Sequence, residues 1–208
     1  MDVIIGRQGS HYTRMVRMLA IELGLEVGLD PIYDLLSEDP SVFGGNPALK
    51  LPALRQGQTV VWGSQNACRA LARSLPEGEA RVFWAEDARS ALLMNTHEIV
   101  AHTMAVQVEV VFHEVVSRRP PDAASRKRRA SLENCLAWLE SQWPAIQAEL
   151  PADRILLVEL GLFAVLEHFS FRNPMDLTAM PRLRAFMASF GQRPSAQRTP
   201  YVVDQRPG

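Results

Sequence analysis

The apolar residues of this 208-residue chain change period at one place. Up to Leu75 they come in short pieces, and beyond it they recur at helical spacing over long stretches, so one type of layer does not account for both parts. Val3 to Gly6 is a brief apolar run before Gly9-Ser10, and Tyr12, Val16, Leu19 and Leu23 then follow helical spacing until Gly24. That pattern predicts strand, turn and helix. Leu25 to Ile32 reads as a weak second strand with Pro31 near its end, and Ser37 to Phe43 as a short helix before the breakers Gly44-Gly45-Asn46-Pro47. Leu51 to Arg55 and Thr59 to Trp62, joined by Gln56-Gly57-Gln58, read as a hairpin. Ser64 is the expected cap of a helix through Ala67, Leu71 and Ala72. The order βαβ followed by αββα calls for an α/β domain with a mixed sheet.

Leu75-Pro76-Glu77-Gly78-Glu79 is polar and carries both breakers, which places a domain boundary there. The expected domains are residues 1–76, α/β, and 82–208, all-helical. Val82 to Val116 runs without Gly or Pro and predicts one long helix ended by Arg118-Arg119-Pro120-Pro121. Ala123 to Ala148 predicts a second, with Pro144 as a kink or local break. Ile155 to Phe169 is apolar on nearly every side, as in a helix buried inside a bundle, with Asp153 as its expected cap. Leu183 to Phe190 predicts a last helix, begun by Pro181 and stopped by Gly191.

With 22 Lys and Arg against 23 Asp and Glu, the net charge of -1 supplies no field to steer nucleic acid or anionic lipid. Met1-Asp2-Val3 lacks the basic start of a signal peptide, and the longest apolar run, around Ile155 to Leu166, is broken by Glu159. No membrane span and no secretion are expected. Cys68 and Cys135 form neither a CxxC pair nor a zinc set, which fits a reducing compartment and a cytoplasmic protein.

Three local motifs carry a family resemblance. They are Gly9-Ser10-His11-Tyr12-Thr13-Arg14-Met15-Val16-Arg17, Asn46-Pro47-Ala48-Leu49-Lys50-Leu51-Pro52-Ala53-Leu54, and Pro181-Arg182-Leu183 with the later Arg193-Pro194-Ser195-Ala196-Gln197-Arg198-Thr199. Phe169-Ser170-Phe171-Arg172 matches a pattern of bacterial members. Together with the domain order they resemble the glutathione S-transferases over nearly the whole chain. The resemblance implies a thioredoxin-like first domain followed by a helical bundle, a cis-proline at Leu51-Pro52, and glutathione as co-substrate. It also implies a homodimer and a hydrophobic electrophile held in a pocket between the domains, with no metal or redox cofactor.

The same residues have physical readings of their own. A bend at Leu51-Pro52 exposes the Leu51 backbone to pair with glutathione as an added strand would; the alternative is an ordinary trans proline opening an edge strand. Ser10 stands between strand and helix, where N–H groups and the helix dipole favour a thiolate, or where a serine simply caps the helix. Tyr12 is the rival hydroxyl but falls on the apolar stripe. His11 replaces the family's usual proline and reads as an exposed residue, or as a polar group at the thiol. Gly63-Ser64-Gln65 occupies the place of the family's acid-Ser pair, leaving Ser64 and a neutral acceptor, Gln65, for the γ-glutamyl end. Lys50 is either a partner for the ligand's glycine carboxylate or solvated surface.

His97 and His102 are five apart rather than four, so HExxH metal chemistry is not expected. His97, His102, Met104 and Val108 line either the electrophile pocket or a core or dimer contact. Arg126-Lys127-Arg128-Arg129 reads as a solvated face, and Cys68 as a core residue. Two functions remain: a glutathione transferase with Ser10 at the thiol, including related lyase, dehalogenase or peroxidase chemistry, and a non-catalytic binding or assembly module, which Gly63 favours. A serine at position 10, where thioredoxin-type chemistry needs a cysteine, disfavours a disulfide reductase.

Overall fold

The computed structural model describes residues 1–172 and 175–205. The chain forms two compact units: Met1–Val82 together with the tail from Arg193 onward, and Phe83–Gln192.

In the first unit a four-stranded sheet runs in the order β2-β1-β3-β4, built from β1 (Val3–Gly6), β2 (Gly28–Pro31), β3 (Ala53–Gln56) and β4 (Thr59–Trp62). β1 is parallel to β2 and antiparallel to β3, and β3 and β4 form the hairpin. The register sets Ile4 opposite Leu54 and Ile5 opposite Ala53, so the pleat sends these pairs to opposite faces. Ile5 and Ala53 bury against Ile32 and Phe43, with Leu35, Val42, Leu49, Leu51 and Val60 packed around them. The chain between β2 and β3 covers this face. Its expected helix over Ser37 to Phe43 is only the 3-10 turn Pro40–Phe43, closed at Gly44. Gly44 is required there, since it has φ +66° and a Cβ would stand 2.7 Å from Ile5 Cδ1.

Helix α1 (His11–Glu22) follows β1, and α2 (Ser64–Arg73) follows β4 and packs on α1. The cap of α2 is Gly63, not Ser64 as expected; Gly63 takes φ 87° and ψ 147°, and Ser64 is already helical. The tail, expected in the helical domain, belongs to the first unit, where the short helix α7 (Pro194–Gln197) packs on α1. Side chains bond it there. Ser195 Oγ donates to Glu22 Oε1 at 2.5 Å, and the buried Arg14 guanidinium donates to Thr199 Oγ1 and the Ala196 carbonyl, each at 3.4 Å. Arg14 also lies 4.4 Å from the centroid of the Tyr201 ring, a cation–π distance.

The second unit is helical. α3 begins at Ala91, not Val82: Ser90 caps it by accepting from the Leu93 N–H at 3.1 Å. Upstream, Asp87 accepts from the Trp84 N–H at 3.0 Å and closes a 3-10 turn, Ala85–Asp87, while Val82–Phe83 and Ile155–Leu156 are two-residue strands where none was expected. α3 runs through Val110 and continues as a π-helical stretch, Val111–Val116. Residues 91–116 reach the length and apolarity of a membrane span, where none was expected; α3 packs on α4 and α5, which gives its apolar side a place in the bundle.

α4 (Ala123–Glu149) continues through Pro144 instead of breaking. Proline at 144 cannot donate to the carbonyl of residue 140, and Arg182 Nη1 donates to that carbonyl instead, at 3.0 Å. The Glu140 carboxylate takes the Arg182 and Leu183 N–H groups at 3.0 and 2.9 Å, capping α6 (Pro181–Phe190) from another helix. α5 (Leu157–Arg172) is buried almost all round, as its composition predicts. It starts four residues after Asp153, which therefore does not cap it.

Candidate functional site

Strand register gathers the chemistry-bearing residues of the first unit at one end of the sheet. Ile5 pairs with Ala53 and Ala53 with Trp62, so the C-terminal end of β1, the start of β3 and the end of β4 lie side by side. The turn carrying Ser10, the bend at Leu51-Pro52 and the start of α2 all issue from that end.

The Ser10 turn is held by short polar contacts. Ser10 Oγ accepts from the Thr13 N–H at 3.3 Å, so the serine caps α1. Its own O–H donates to no described residue, so one oxygen can cap the helix and still present a proton outward. Thr13 Oγ1 accepts from the Arg7 N–H at 3.2 Å, and a Cβ at Gly6 would stand 2.5 Å from the same oxygen. Glycine at position 6 is thus what lets α1 approach β1 so closely.

His11 is 2% exposed, which corrects the expectation of an exposed histidine. Its ring lies 4.6 Å from that of Tyr12, centroid to centroid. Tyr12 is half-buried, and burial pushes its phenol up to about 12, so it stays protonated at neutral pH. Met104 is in α3 of the second unit and only 3% exposed. Cys68 is fully buried and desolvation raises its pKa, as befits a core residue. No group of three or more metal-ligating side chains comes together among the described residues.

The Leu51–Pro52 peptide bond is cis. Neither the N–H nor the C=O of Leu51 has a partner among the described residues, although the residue is only partly exposed. The bend is built from within: Asn46 Nδ2 donates to the Lys50 carbonyl at 2.8 Å, and Asn46 Oδ1 accepts from the Ala48 N–H at 3.0 Å. The Lys50 side chain is exposed. Pro52 in turn accepts from the Gly63 N–H at 2.9 Å, which ties the bend to the first turn of α2.

At that first turn no side chain caps the helix. The N–H groups of Ser64, Gln65 and Asn66 have no intrahelical carbonyl to meet, and the dipole's positive end lies with them. Ser64 is 7% exposed and its hydroxyl has no hydrogen-bond partner among the described residues, while Gln65 is exposed. The set is a free strand-like edge beside a helix terminus lined with N–H donors, suited to a peptide-like ligand with an anionic end.

Two residues that shape the site were not foreseen, Thr13 and Asp204. The Asp204 carboxylate bonds the turn before Ser10 from 195 positions away in sequence, and nothing in local spacing signals it.

A thioredoxin-like domain of this topology followed in sequence by a helical bundle defines a class of two-domain proteins. Residues 9–74 match the family described as glutathione S-transferase, N-terminal domain. A glutathione S-transferase from Methylobacillus flagellatus KT, solved with glutathione bound, superposes with TM-score 0.79 at 19% identity, over 97% of this chain and 100% of that one. A glutathione transferase family member from Pseudomonas fluorescens Pf-5, also with glutathione, gives 0.77 at 23%, over 98% and 100%. A glutathione S-transferase from Methylobacterium radiotolerans, in complex with glutathione sulfonate, gives 0.74 at 20%, over 100% and 98%. No curated protein sequence matches the chain. The first domain thus matches the glutathione S-transferase N-terminal family over residues 9–74, and the chain as a whole shares the fold of these glutathione S-transferases.

Proposed function

We propose that the protein is a glutathione transferase that binds glutathione at this end of the sheet and directs its sulfur at a hydrophobic, electrophilic small molecule. The observation that carries the reading is the unpaired Leu51 backbone beside the uncapped start of α2. The Leu51 N–H and C=O receive the cysteinyl backbone, and the Ser64 and Gln65 N–H groups with the Ser64 hydroxyl receive the γ-glutamyl carboxylate. Gln65 offers its carbonyl to the ammonium, Gly63 leaves room beside it, and Pro52 sets the bend. Lys50 pairs with the glycine carboxylate, and His11 and Tyr12 contribute to the electrophile's surroundings.

Ser10 then meets the sulfur. A free thiol has a pKa of about 8.5, and lowering it by about 2 units takes ~2.7 kcal/mol of preferential thiolate stabilisation, within reach of one hydroxyl donor plus the positive end of α1. The thiol proton leaves to solvent, the thiolate forms the new S–C bond, and the electrophile's leaving group departs with its bonding pair. The protein acts as a cytoplasmic homodimer in this reading, without a metal. Gly63, which lacks the acid that would meet the ligand's ammonium, favours a second reading, a binding or assembly module of the same fold.

Calorimetric titration with reduced glutathione, followed by conjugation to a generic aryl halide, separates the two. Binding that weakens in Ser64→Ala, with turnover that falls in Ser10→Ala, is the expected result. Absence of binding at millimolar glutathione removes the transferase reading and leaves the module.

A further inference from the structure

The tail returns to the first unit and brings Asp204 onto the turn that carries Ser10. Asp204 Oδ1 accepts from the Gln8 N–H at 3.0 Å, while Oδ2 accepts from the Gly9 N–H at 3.2 Å and from Arg7 Nε at 3.4 Å. The Asp204 side chain is only 2% exposed. Two successive backbone N–H groups converging on one anion make a nest, and here the anion is a side chain of the same protein. Every donor belongs to the three residues that precede Ser10. The tail itself is anchored farther back, by Arg14 on Thr199, Ala196 and Tyr201 and by Ser195 on Glu22, so Asp204 is delivered by a braced segment.

We propose that Asp204 is a positioning residue for Ser10: its carboxylate fixes the Arg7-Gln8-Gly9 turn and thereby the direction of the Ser10 hydroxyl. It touches neither sulfur nor electrophile. A neutral residue does not replace it, because the turn presents three donors and no acceptor to this position. Asparagine keeps the shape but turns an amide N–H₂ toward at least one of those donors, leaving it unmet. The proposal rests on the transferase reading only where turnover is measured; the fixing of the turn is a property of the ligand-free protein.

The test uses the full chain carrying Asp204→Asn. Amide hydrogen exchange at Gln8 and Gly9 is expected to quicken at least tenfold, with exchange at Ile4 and Leu54 in the sheet unchanged. In glutathione conjugation, kcat is expected to fall about tenfold while KM for glutathione stays within threefold, because the bend and α2 keep their geometry. Asp204→Glu, which retains both oxygens on a longer arm, is expected to recover part of both losses, and it reads the same amides should the asparagine variant fold too poorly. Unchanged exchange at Gln8 and Gly9, or equal acceleration throughout the sheet, overturns the proposal. A wild-type protein that neither binds nor turns over glutathione refutes the transferase reading while the exchange result still decides what Asp204 does.

Discussion

Replacing Ser10 by alanine removes two things that sit on one oxygen, and the structure allows their sizes to be separated. The first is the cap. The Thr13 N–H reaches Ser10 Oγ at 3.3 Å, a long bond, so the loss belongs in the lower half of the usual range for N-caps, roughly 0.5–1 kcal/mol. For a chain of this size that lowers the melting temperature by roughly 1–4 °C. The second is the proton offered to the thiolate. A hydrogen bond to a charged group contributes about 1.5–3 kcal/mol, so the bound thiol's pKa should rise by about 1–2 units. Because the hydroxyl depresses the thiol's pKa, the loss appears where wild type is ionised and Ser10→Ala is not: about tenfold in kcat/KM near pH 6.5, and little at pH 9. Ser10→Thr, which keeps both the acceptor and the O–H, should retain stability and profile. The assay is the pH dependence of conjugation to an aryl halide, read beside thermal denaturation. An unmoved pH profile in Ser10→Ala, with the small loss of stability present, would refute the thiolate role and leave Ser10 as a cap alone.

Gly63→Glu places an acid where the ligand's ammonium is expected. A Cβ there meets nothing within 4 Å, but φ 87° with ψ 147° is a region that costs a side chain about 1–3 kcal/mol. Calorimetry should show glutathione bound about fivefold more tightly, the yield of one ion pair of ~1 kcal/mol, in a protein that melts earlier; unchanged affinity would remove Gly63 from the site. Glu140→Gln leaves the Arg182 or the Leu183 N–H facing an amide donor, and denaturant titration should show a loss of about 1 kcal/mol. His97 Nε2 is buried without a hydrogen-bond partner among the described residues, and desolvation lowers the ring's pKa against the opposing pull of Glu86 and Asp87. The unfolded chain then binds the proton more readily, so stability is full above the ordinary histidine value of about 6.5 and falls as pH drops below it. In His97→Phe that part of the acid-side slope should disappear from melting curves measured between pH 7 and 5.

Elements with a strong local signal were readable from sequence: α1 and α6 to within a residue or two, the hairpin, and the all-apolar α5, whose pattern allows burial and little else. The errors have physical causes. α3 was expected to start nine residues early because Val82 to Ser90 contains no Gly or Pro, while the true stop is a side-chain bond, Asp87 on the Trp84 N–H, and the true start is the Ser90 cap. Pro144 was expected to disturb α4 because the rule concerns one helix, and the freed carbonyl found its donor on another. Ser64 was expected as a cap because serine favours that position, yet a backbone at φ 87° and ψ 147° favours glycine.

The same division runs through the site. Ser10, Leu51, Pro52 and Ser64 stand in continuous motifs, because strand register alone carries their three segments to one end of the sheet. His11 was misplaced because burial of a polar ring depends on what packs over it, which its neighbours in sequence do not specify. Asp204 had no sequence signal at all: its three donors are backbone and side-chain N–H groups of residues 7–9, and an acid near the end of a chain is ordinarily solvated surface. Local motifs therefore report where a ligand's groups can be met. The rigidity with which Ser10 is held depends on a contact across 195 positions, which is why affinity for glutathione and efficiency at its sulfur should respond to different residues: Ser64 for the first, Asp204 for the second.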